Sequence, residues 1–374
     1  MIRLRALLLK EFIQMRRDRL TYAMMIGMPI IQLLLFGFAI NTDVKHLPTV
    51  VFDQSNSSES RDLLESFSAS GYFDINYNAK SFQDVNARID DGDAKVGVVL
   101  PPDFAEHVRG GRTASVQVIV DATDSMSASS AIATAQTIGQ LRSQTIMIRK
   151  LESVTGRQSG LPYDIRIRPW YNPDFVTAFY MVPGIMGIIL TMTMVMITSM
   201  AIVRERELGT LEQLIVTPMK SYELMLGKII PYVFVGLVQA SVALLVGIVV
   251  FDLPIRGSLI ELFLYTVLFI VASLSLGILI SNFAKTQMQA MQLSFFVFMP
   301  SVLLSGFMFP REAMPEFFYQ IGKVLPLTFY LQIMRSIVLK GVGIKALWPQ
   351  VGALLIFISI VLTISVAKFK KKLG

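Results

Sequence analysis

Cysteine is absent from the 374-residue chain, and histidine occurs only twice. Without thiols there can be no disulfide framework and no thiolate-bound metal, so the redox compartment leaves no mark on the sequence. His46 and His107 stand outside any H-x-x-E, H-E-x-x-H or nucleophile-elbow pattern, which removes the usual metallohydrolase and serine-hydrolase constellations. Both read as surface residues of a folded domain, and no catalytic, cofactor-binding or metal-binding residues are assigned. The phosphate loop G-x-x-x-x-G-K-[S/T] is missing as well: Gly227-Lys228 is followed by Ile229 and lacks the upstream glycine. Nucleotide binding in that manner is excluded for this chain.

Charge is the next shortage. Only 16% of residues are charged against 53% hydrophobic, and the mean hydropathy is +0.57. That balance belongs to an integral membrane protein rather than a soluble domain. A hydrocarbon core of about 30 Å needs roughly 20 apolar residues per helix. Six stretches meet this: Tyr22–Ile40, Phe179–Val203, Ile229–Phe251, Ser258–Ile280, Met288–Met308 and Leu347–Ala367. Backbone groups in lipid must pair internally, so each is expected to be a helix. Tyr22–Ile40 is longer than a signal-peptide core and ends without a small-x-small cleavage site, so it is read as a retained anchor. Residues 1–21 place Leu4, Leu7, Leu8, Phe12 and Met15 on one helical face and Arg3, Lys10, Gln14 and Arg17 on the other. This fits a cytoplasmic amphipathic helix in the headgroup plane and equally a basic flank that sets orientation.

Lys and Arg gather at alternate span ends: Arg3 to Arg19, then Arg204, Arg206, Lys220 and Lys228, then Lys285, then Lys368 to Lys372. By the positive-inside rule those ends are cytoplasmic, with both termini inside. The net charge of +7 therefore describes topology and not a nucleic-acid surface. Residues 41–172 then fall outside as an extracytoplasmic α/β domain. Thr49–Phe52, Val96–Leu100 and Val116–Val120 are short β-branched runs, while Glu59–Phe67, Phe82–Ile89 and Phe104–Arg109 are amphipathic at helical spacing. A longer helical pattern opens after Asp121–Ser130 and continues through Leu151. Ser55-Asn-Ser-Ser58 reads as a turn and N-cap.

Residues 173–374 hold the other five spans, and one polar insert between them stands out. Arg204-Glu-Arg-Glu-Leu-Gly-Thr-Leu-Glu-Gln-Leu-Ile-Val-Thr-Pro218 is too polar to span and too short to be a domain. Leu208, Leu211, Leu214 and Ile215 recur at helical spacing, and Thr217-Pro218 supplies an N-cap and N1 proline for the next helix. It reads as a docking lever for a soluble partner, the plainer alternative being a solvated connector. Within the spans ionisable groups are scarce; Asp252 and Glu261 sit near outer ends and Lys285 near an inner one, which counts against a proton relay. Methionines crowd the second span and phenylalanines the fifth, mostly as lipid-facing or packing residues. Gln32 and Gln239 are expected to bond between helices. Residues 310–343 read as two half-helices dipping into the outer leaflet, with Arg311, Glu312, Lys323 and Arg335 near water or paired with one another.

The insert, followed by Gly227-Lys228 and Pro231-Tyr232, resembles the coupling segment of ABC-2 type exporter permeases. Leu304-Ser-Gly-Phe-Met-Phe-Pro-Arg-Glu-Ala-Met-Pro315, followed by Leu325-Pro-Leu-Thr-Phe329, resembles the outer re-entrant region of the same family. One span, a large outer domain and five further spans is similar to the layout of the bacterial inner-membrane multidrug-type subfamily. The resemblance covers nearly the whole chain and implies a six-helix, type V exporter-like fold.

It further implies that Glu205, Glu207, Gly209, Thr210, Glu212, Thr217 and Pro218 form the coupling helix (204–218) toward an ABC ATPase acting in trans. ATP and Mg would be bound by that subunit, with no cofactor in this chain. Ser305, Gly306, Pro310, Pro315 and Pro326 would form the outer gate. A second permease, identical or paralogous, would complete the translocator in the membrane lipid, and a membrane-fusion protein is a further implied partner. The expected function is export of an apolar or amphiphilic substrate across the bacterial inner membrane. A non-transporting scaffold that relays ATPase state to a periplasmic partner is the alternative.

Overall fold

The computed structural model describes residues 13, 19–39, 44–155, 170–173, 176–209 and 221–368. These divide into two compact units, residues 1–40 with 168–374, and residues 41–167. The predicted N-terminal amphipathic helix lies almost entirely outside the described residues.

The larger unit is helical. It contains α1 (Arg19–Ala39), α6 (Thr177–Glu207), α7 (Ser221–Phe251), α8 (Leu259–Ser281), α9 (Gln287–Leu304), α10 (Glu316–Gly322), α11 (Pro326–Arg335) and α12 (Ile344–Lys368). Among the described residues, five helices are long and apolar enough to cross a membrane: α6, α7 from Gly227, α8, α9 and α12. In α1 the stretch Pro29–Phe38 is apolar but shorter. Pro183, Pro231, Pro300 and Pro349 lie inside these helices, as membrane helices tolerate when neighbours satisfy the freed backbone groups.

The hub is α6, on which α1, α7, α8, α9 and α11 all pack. Glycines permit the closest approaches. A Cβ on Gly277 of α8 would stand 2.7 Å from the Val195 carbonyl oxygen of α6, and one on Gly187 would stand 2.9 Å from Leu327 of α11. Around these contacts the core is apolar, with Phe269 and Tyr330 stacked at 4.0 Å and the Tyr330 hydroxyl 3.1 Å from that of Thr266. The two tryptophans, Trp170 and Trp348, are both exposed, one shortly before α6 and the other near the start of α12. Such placement suits amphipathic rings at a membrane boundary.

Between α9 and α12 the chain forms a 3₁₀ turn (Arg311–Ala313), then α10, then α11, which continues through a π-helical turn (Ser336–Lys340) to Gly341 at φ 69°. Pro326 occupies the first position of α11, where its missing N–H costs nothing. One expectation for this region is corrected. Arg335 neither pairs with an acidic residue nor stays in water; its guanidinium lies 3.8 Å over the Tyr180 ring, and its Nη1 donates to the Gly306 carbonyl at 3.4 Å. The planar, weakly hydrated guanidinium stacks readily on an aromatic face.

The smaller unit is an α/β domain. Its strands β1 (Leu47–Asp53), β2 (Phe73–Asn78), β3 (Val96–Leu100) and β4 (Gln117–Val120) form one sheet in the order β2-β1-β3-β4, with β1 parallel to both neighbours and β4 antiparallel to β3. The parallel pairs require crossovers, supplied by α2 (Ser58–Ala69) and α3 (Phe82–Asp90), after which come α4 (Phe104–Gly110) and the long α5 (Ser125–Thr155). Ser57 caps α2 in a capping box with Ser60, and Ser81 caps α3. One strand, β2, is absent from the sequence expectation. It is an edge strand reading Phe-Asp-Ile-Asn-Tyr-Asn, with too few β-branched residues to announce itself, although its alternation is legible in retrospect.

Arg109 of α4 donates twice to the Glu59 carboxylate of α2, at 2.6 and 2.8 Å. This guanidinium, together with the Glu59 backbone N–H, holds the Glu59 pKa down to about 2. A depressed carboxylate pKa stabilises the fold above the ordinary value near 4.5 and loses that contribution as pH falls toward 2. Asp121, beside the Lys95 ammonium at 2.5 Å, is likewise held well below the usual carboxylate range. Replacing Glu59 by Gln should therefore flatten the acid limb of the domain's unfolding curve between about pH 4.5 and pH 2. Circular dichroism across that range checks it; an unchanged limb would show that the pair is energetically silent.

Candidate coupling site

The predicted coupling segment begins inside a helix and not at a loop. Rather than ending at Val203, α6 continues through Glu207, Leu208 forms the C-cap, and Gly209 at φ 70° turns the chain away. Only glycine adopts that left-handed conformation without a Cβ penalty, which makes it the ordinary residue for ending a helix. Of the sequence-predicted residues, Glu205, Glu207 and Gly209 are described, whereas Thr210, Glu212, Thr217 and Pro218 lie outside the described residues.

Consecutive helical residues point about 100° apart, and here three of them reach three different neighbours. Glu205 turns inward and accepts from the Lys228 ammonium of α7 at 2.8 Å; they are 8% and 2% exposed. Arg206 donates from Nη1 to the carbonyls of Ser281, at the end of α8, and Ala284, in the loop that follows, at 3.1 and 2.9 Å. The Ser281 carbonyl is one of the unpaired acceptors that every helix end leaves behind. Glu207 accepts from the backbone N–H of Gln287, the first residue of α9, at 3.0 Å, and from the Gln287 side chain at 2.5 Å. A carboxylate there satisfies orphan N–H groups and complements the positive end of the helix dipole.

The last turn of α6 is thus a bracket that fastens α7, the α8–α9 loop and α9 at one end of the bundle. Arg206 and Lys228 lie in the stretches that carried the resemblance to a coupling segment but were given no individual role, and Gln287 was given none at all. Lys228 could have been flagged, because apolar residues flank it on both sides and a lysine so placed needs a partner. Gln287 gave no signal: it is one of three glutamines between residues 287 and 292.

The predicted gate residues lie at the opposite end of α9. Ser305 is the C-cap of α9 and its hydroxyl donates to the Val302 carbonyl at 3.0 Å; Gly306 follows at φ 85°. Pro310 precedes the 3₁₀ turn, Pro315 is the N-cap of α10, and Pro326 opens α11. The Tyr180 hydroxyl of α6 lies 3.0 and 2.8 Å from the carbonyl oxygens of Gly306 and Phe307. The Phe307 ring is parallel to that of Tyr180, with centroids 6.4 Å apart, and covers Gly184, where a Cβ would stand 2.2 Å from it. Gly184 must stay a glycine for that ring to fit. Together, Ser305 and Gly306 do lie at one turn, while the three prolines mark successive helix starts.

Among the described residues, five long apolar helices, three of them packed on a fourth, the hub α6, define a multi-pass membrane protein. The family is shown directly: residues 19–367 match the ABC-2 family transporter protein family, and the chain belongs to it. It is 30% identical over 370 residues to the probable multidrug ABC transporter permease YbhR of Escherichia coli strain K12, covering 99% of each chain. Its identity to the probable multidrug ABC transporter permease YbhS of the same strain is 31%, over 91% of this chain and 89% of that one. To the inner membrane transport permease YhhJ of that strain it is 29%, over 87% and 86%. The protein is accordingly a multi-pass membrane protein of the ABC-2 type, with relatives named as permeases.

Proposed function

We propose that this chain is the permease subunit of an ABC exporter, moving an apolar or amphiphilic substrate outward across the bacterial inner membrane. Hydrolysis of ATP with Mg takes place on a separate ATPase subunit, and a second permease, identical or paralogous, completes the pathway. Six spans are counted with α1 as the first; both termini are cytoplasmic and residues 41–172 extracytoplasmic. The names of the relatives support transport and the inner membrane, the Lys and Arg distribution supports the orientation, and the 21-residue length of α1 supports its counting as a span.

The observation that carries the reading is the bracket at the end of α6. A segment tied by Glu205, Arg206 and Glu207 to three other elements cannot be displaced without taking them along. When nucleotide brings two ATPase subunits together, residues 208–220 move with them and the bundle shifts between two packed arrangements. The chain does no covalent chemistry; it contributes differential stability of the two arrangements. In this reading Glu205 and Glu207 hold the lever to the bundle, and Thr210, Glu212, Thr217 and Pro218 meet the ATPase.

Replacing Glu212 by Arg should reduce permease-dependent ATPase stimulation in the reconstituted complex by about tenfold, the usual size of a coupling free energy. Unchanged stimulation would remove the lever. Labelling of Glu212→Cys by an impermeant maleimide in inside-out and right-side-out vesicles reports the side, since the chain has no native cysteine; reaction from the outer side would also overturn the assignment.

A further inference from the structure

The bracket explains how motion enters the bundle but not how it reaches the other end. Two helices could carry it there. One is α6 itself, 31 residues long and therefore about 46 Å from end to end. The other is α9, which packs along α6 and ends at the Ser305–Gly306 turn.

Small residues fill the most buried positions on the α9 side of the contact. From α9 the fully buried residues are Ala290, Ser294 and Ser301, all small. Large side chains interlock as ridges in grooves; a stripe of small ones lets two backbones approach but resists sliding and rolling weakly. Only one side-chain hydrogen bond is seen along this stretch among the described residues, between the Ser199 and Ser294 hydroxyls at 2.9 Å. Whether α9 follows α6 is therefore decided by what fastens their ends.

Both ends are fastened. At one, Gln287 is held by the Glu207 carboxylate through its backbone and its side chain. At the other, the Tyr180 hydroxyl reaches the carbonyls of Gly306 and Phe307, and the Phe307 ring is stacked on the tyrosine. These clamps are made by the last residue and the first turn of α6, so they span its full length. We propose that Gln287 and Tyr180 are positioning residues that make α6 and α9 one strut, which delivers displacement of the segment beyond Gly209 to the turn at Ser305–Phe307. This rests on the coupling reading above and adds the route to it. Neither residue touches nucleotide or substrate in this account; each acts through α9.

The missing cysteines make the test direct. Spin-label pairs are placed at exposed sites, Leu208 with Val366 at the bracket end and Met308 with Leu259 at the far end. Distances are measured by pulsed electron paramagnetic resonance on the full complex in nanodiscs with a cysteine-free ATPase subunit, nucleotide-free and with ATP plus vanadate. In the unsubstituted chain both pairs should shift on nucleotide trapping. In the double variant Gln287→Ala, Tyr180→Phe the bracket pair should still shift and the far pair should shift clearly less than in the unsubstituted chain. Only the residue 287 backbone N–H and the Phe307 ring stack then hold α9 to α6 at its ends. The retained bracket shift shows that the variant is folded and engaged, a check that a merely destabilised protein would fail. A far-end shift undiminished in the double variant overturns the strut alone. Absence of a bracket shift in the unsubstituted chain overturns the coupling reading, and the strut with it. Each single variant should give an intermediate far-end shift; full loss on Tyr180→Phe with none on Gln287→Ala would reduce the proposal to a local gate latch and overturn it as a strut.

Discussion

Replacing Lys228 by Met is expected to destabilise the bundle by about 3–5 kcal/mol, the size seen when one member of a buried ion pair is removed. The reason lies in what stays behind. Glu205 is 8% exposed, and without the ammonium 2.8 Å away its carboxylate is left in a low-dielectric site, short of its main counter-charge. The cost is thus the desolvation of the survivor more than the attraction lost. Glu205→Gln should cost less, because a neutral amide still accepts from the lysine, although the ammonium then stays buried without its counter-charge. The double variant Lys228→Met, Glu205→Met should recover much of the loss, since an apolar pair of similar volume in place of a buried ion pair is often neutral. Thermal unfolding in one detergent at a fixed scan rate gives the order of the variants. A Lys228→Met protein as stable as the parent would mean that the pair is solvated and the bracket weaker than its geometry implies.

Gly277→Val is expected to cost about 3 kcal/mol or more, at or above the upper end for overpacking a well-filled core. Most steric conflicts are relieved by a rotamer change in the neighbour. Here the closest atom to an added Cβ is the Val195 carbonyl oxygen at 2.7 Å, with the Thr198 Cβ at 2.9 Å. A backbone carbonyl already committed to helix α6 has no rotamer to change, so α8 and α6 must separate or tilt. Because α6 also holds α1, α7, α9 and α11, the disturbance should spread beyond one contact. Gly352→Ala in α12 is the control: nothing lies within 4 Å of its Cβ position, and removing a helix glycine should be neutral or stabilising by about 0.5–1 kcal/mol. Equal unfolding temperatures for the two variants would refute the close α6–α8 packing.

The two predictions meet in the same helix. Gly277 sets how near α8 comes to the middle of α6, and Lys228 sets how α7 is held at its end. The two-arrangement cycle proposed above needs some contacts that persist and others that yield. The backbone-to-backbone contact at Gly277 leaves little freedom, whereas the small-residue face between α6 and α9 leaves more, and this difference is why the end clamps on α9 carry so much weight.

Long spans were legible because lipid solvation leaves a one-dimensional trace: about 20 apolar residues in a row need no knowledge of neighbours. The helices of the smaller unit were legible for a related reason, since amphipathic spacing at Phe82–Ile89 and the cap within Ser55–Ser58 are local. Strand β2 escaped because an edge strand with polar alternate residues has no apolar run to show. The turn at Ser305–Gly306 could be singled out through family resemblance, but its partner Tyr180 could not, being 126 residues away along the chain.

Composition and local pattern alone established that this chain lives in a membrane and that a charged insert interrupts its apolar stretches. These are properties of short windows, and solvent preference acts on each window separately. Which charges face a partner and which are spent inside the bundle was a matter of three-dimensional packing. Glu205, Arg206 and Glu207 look alike as a run of alternating charge, yet helical rotation sends them to Lys228, to the carbonyls of Ser281 and Ala284, and to Gln287. Only the placement of neighbouring helices assigns those ends, because an ion pair or a cap is defined by distance in space and leaves no period in the sequence.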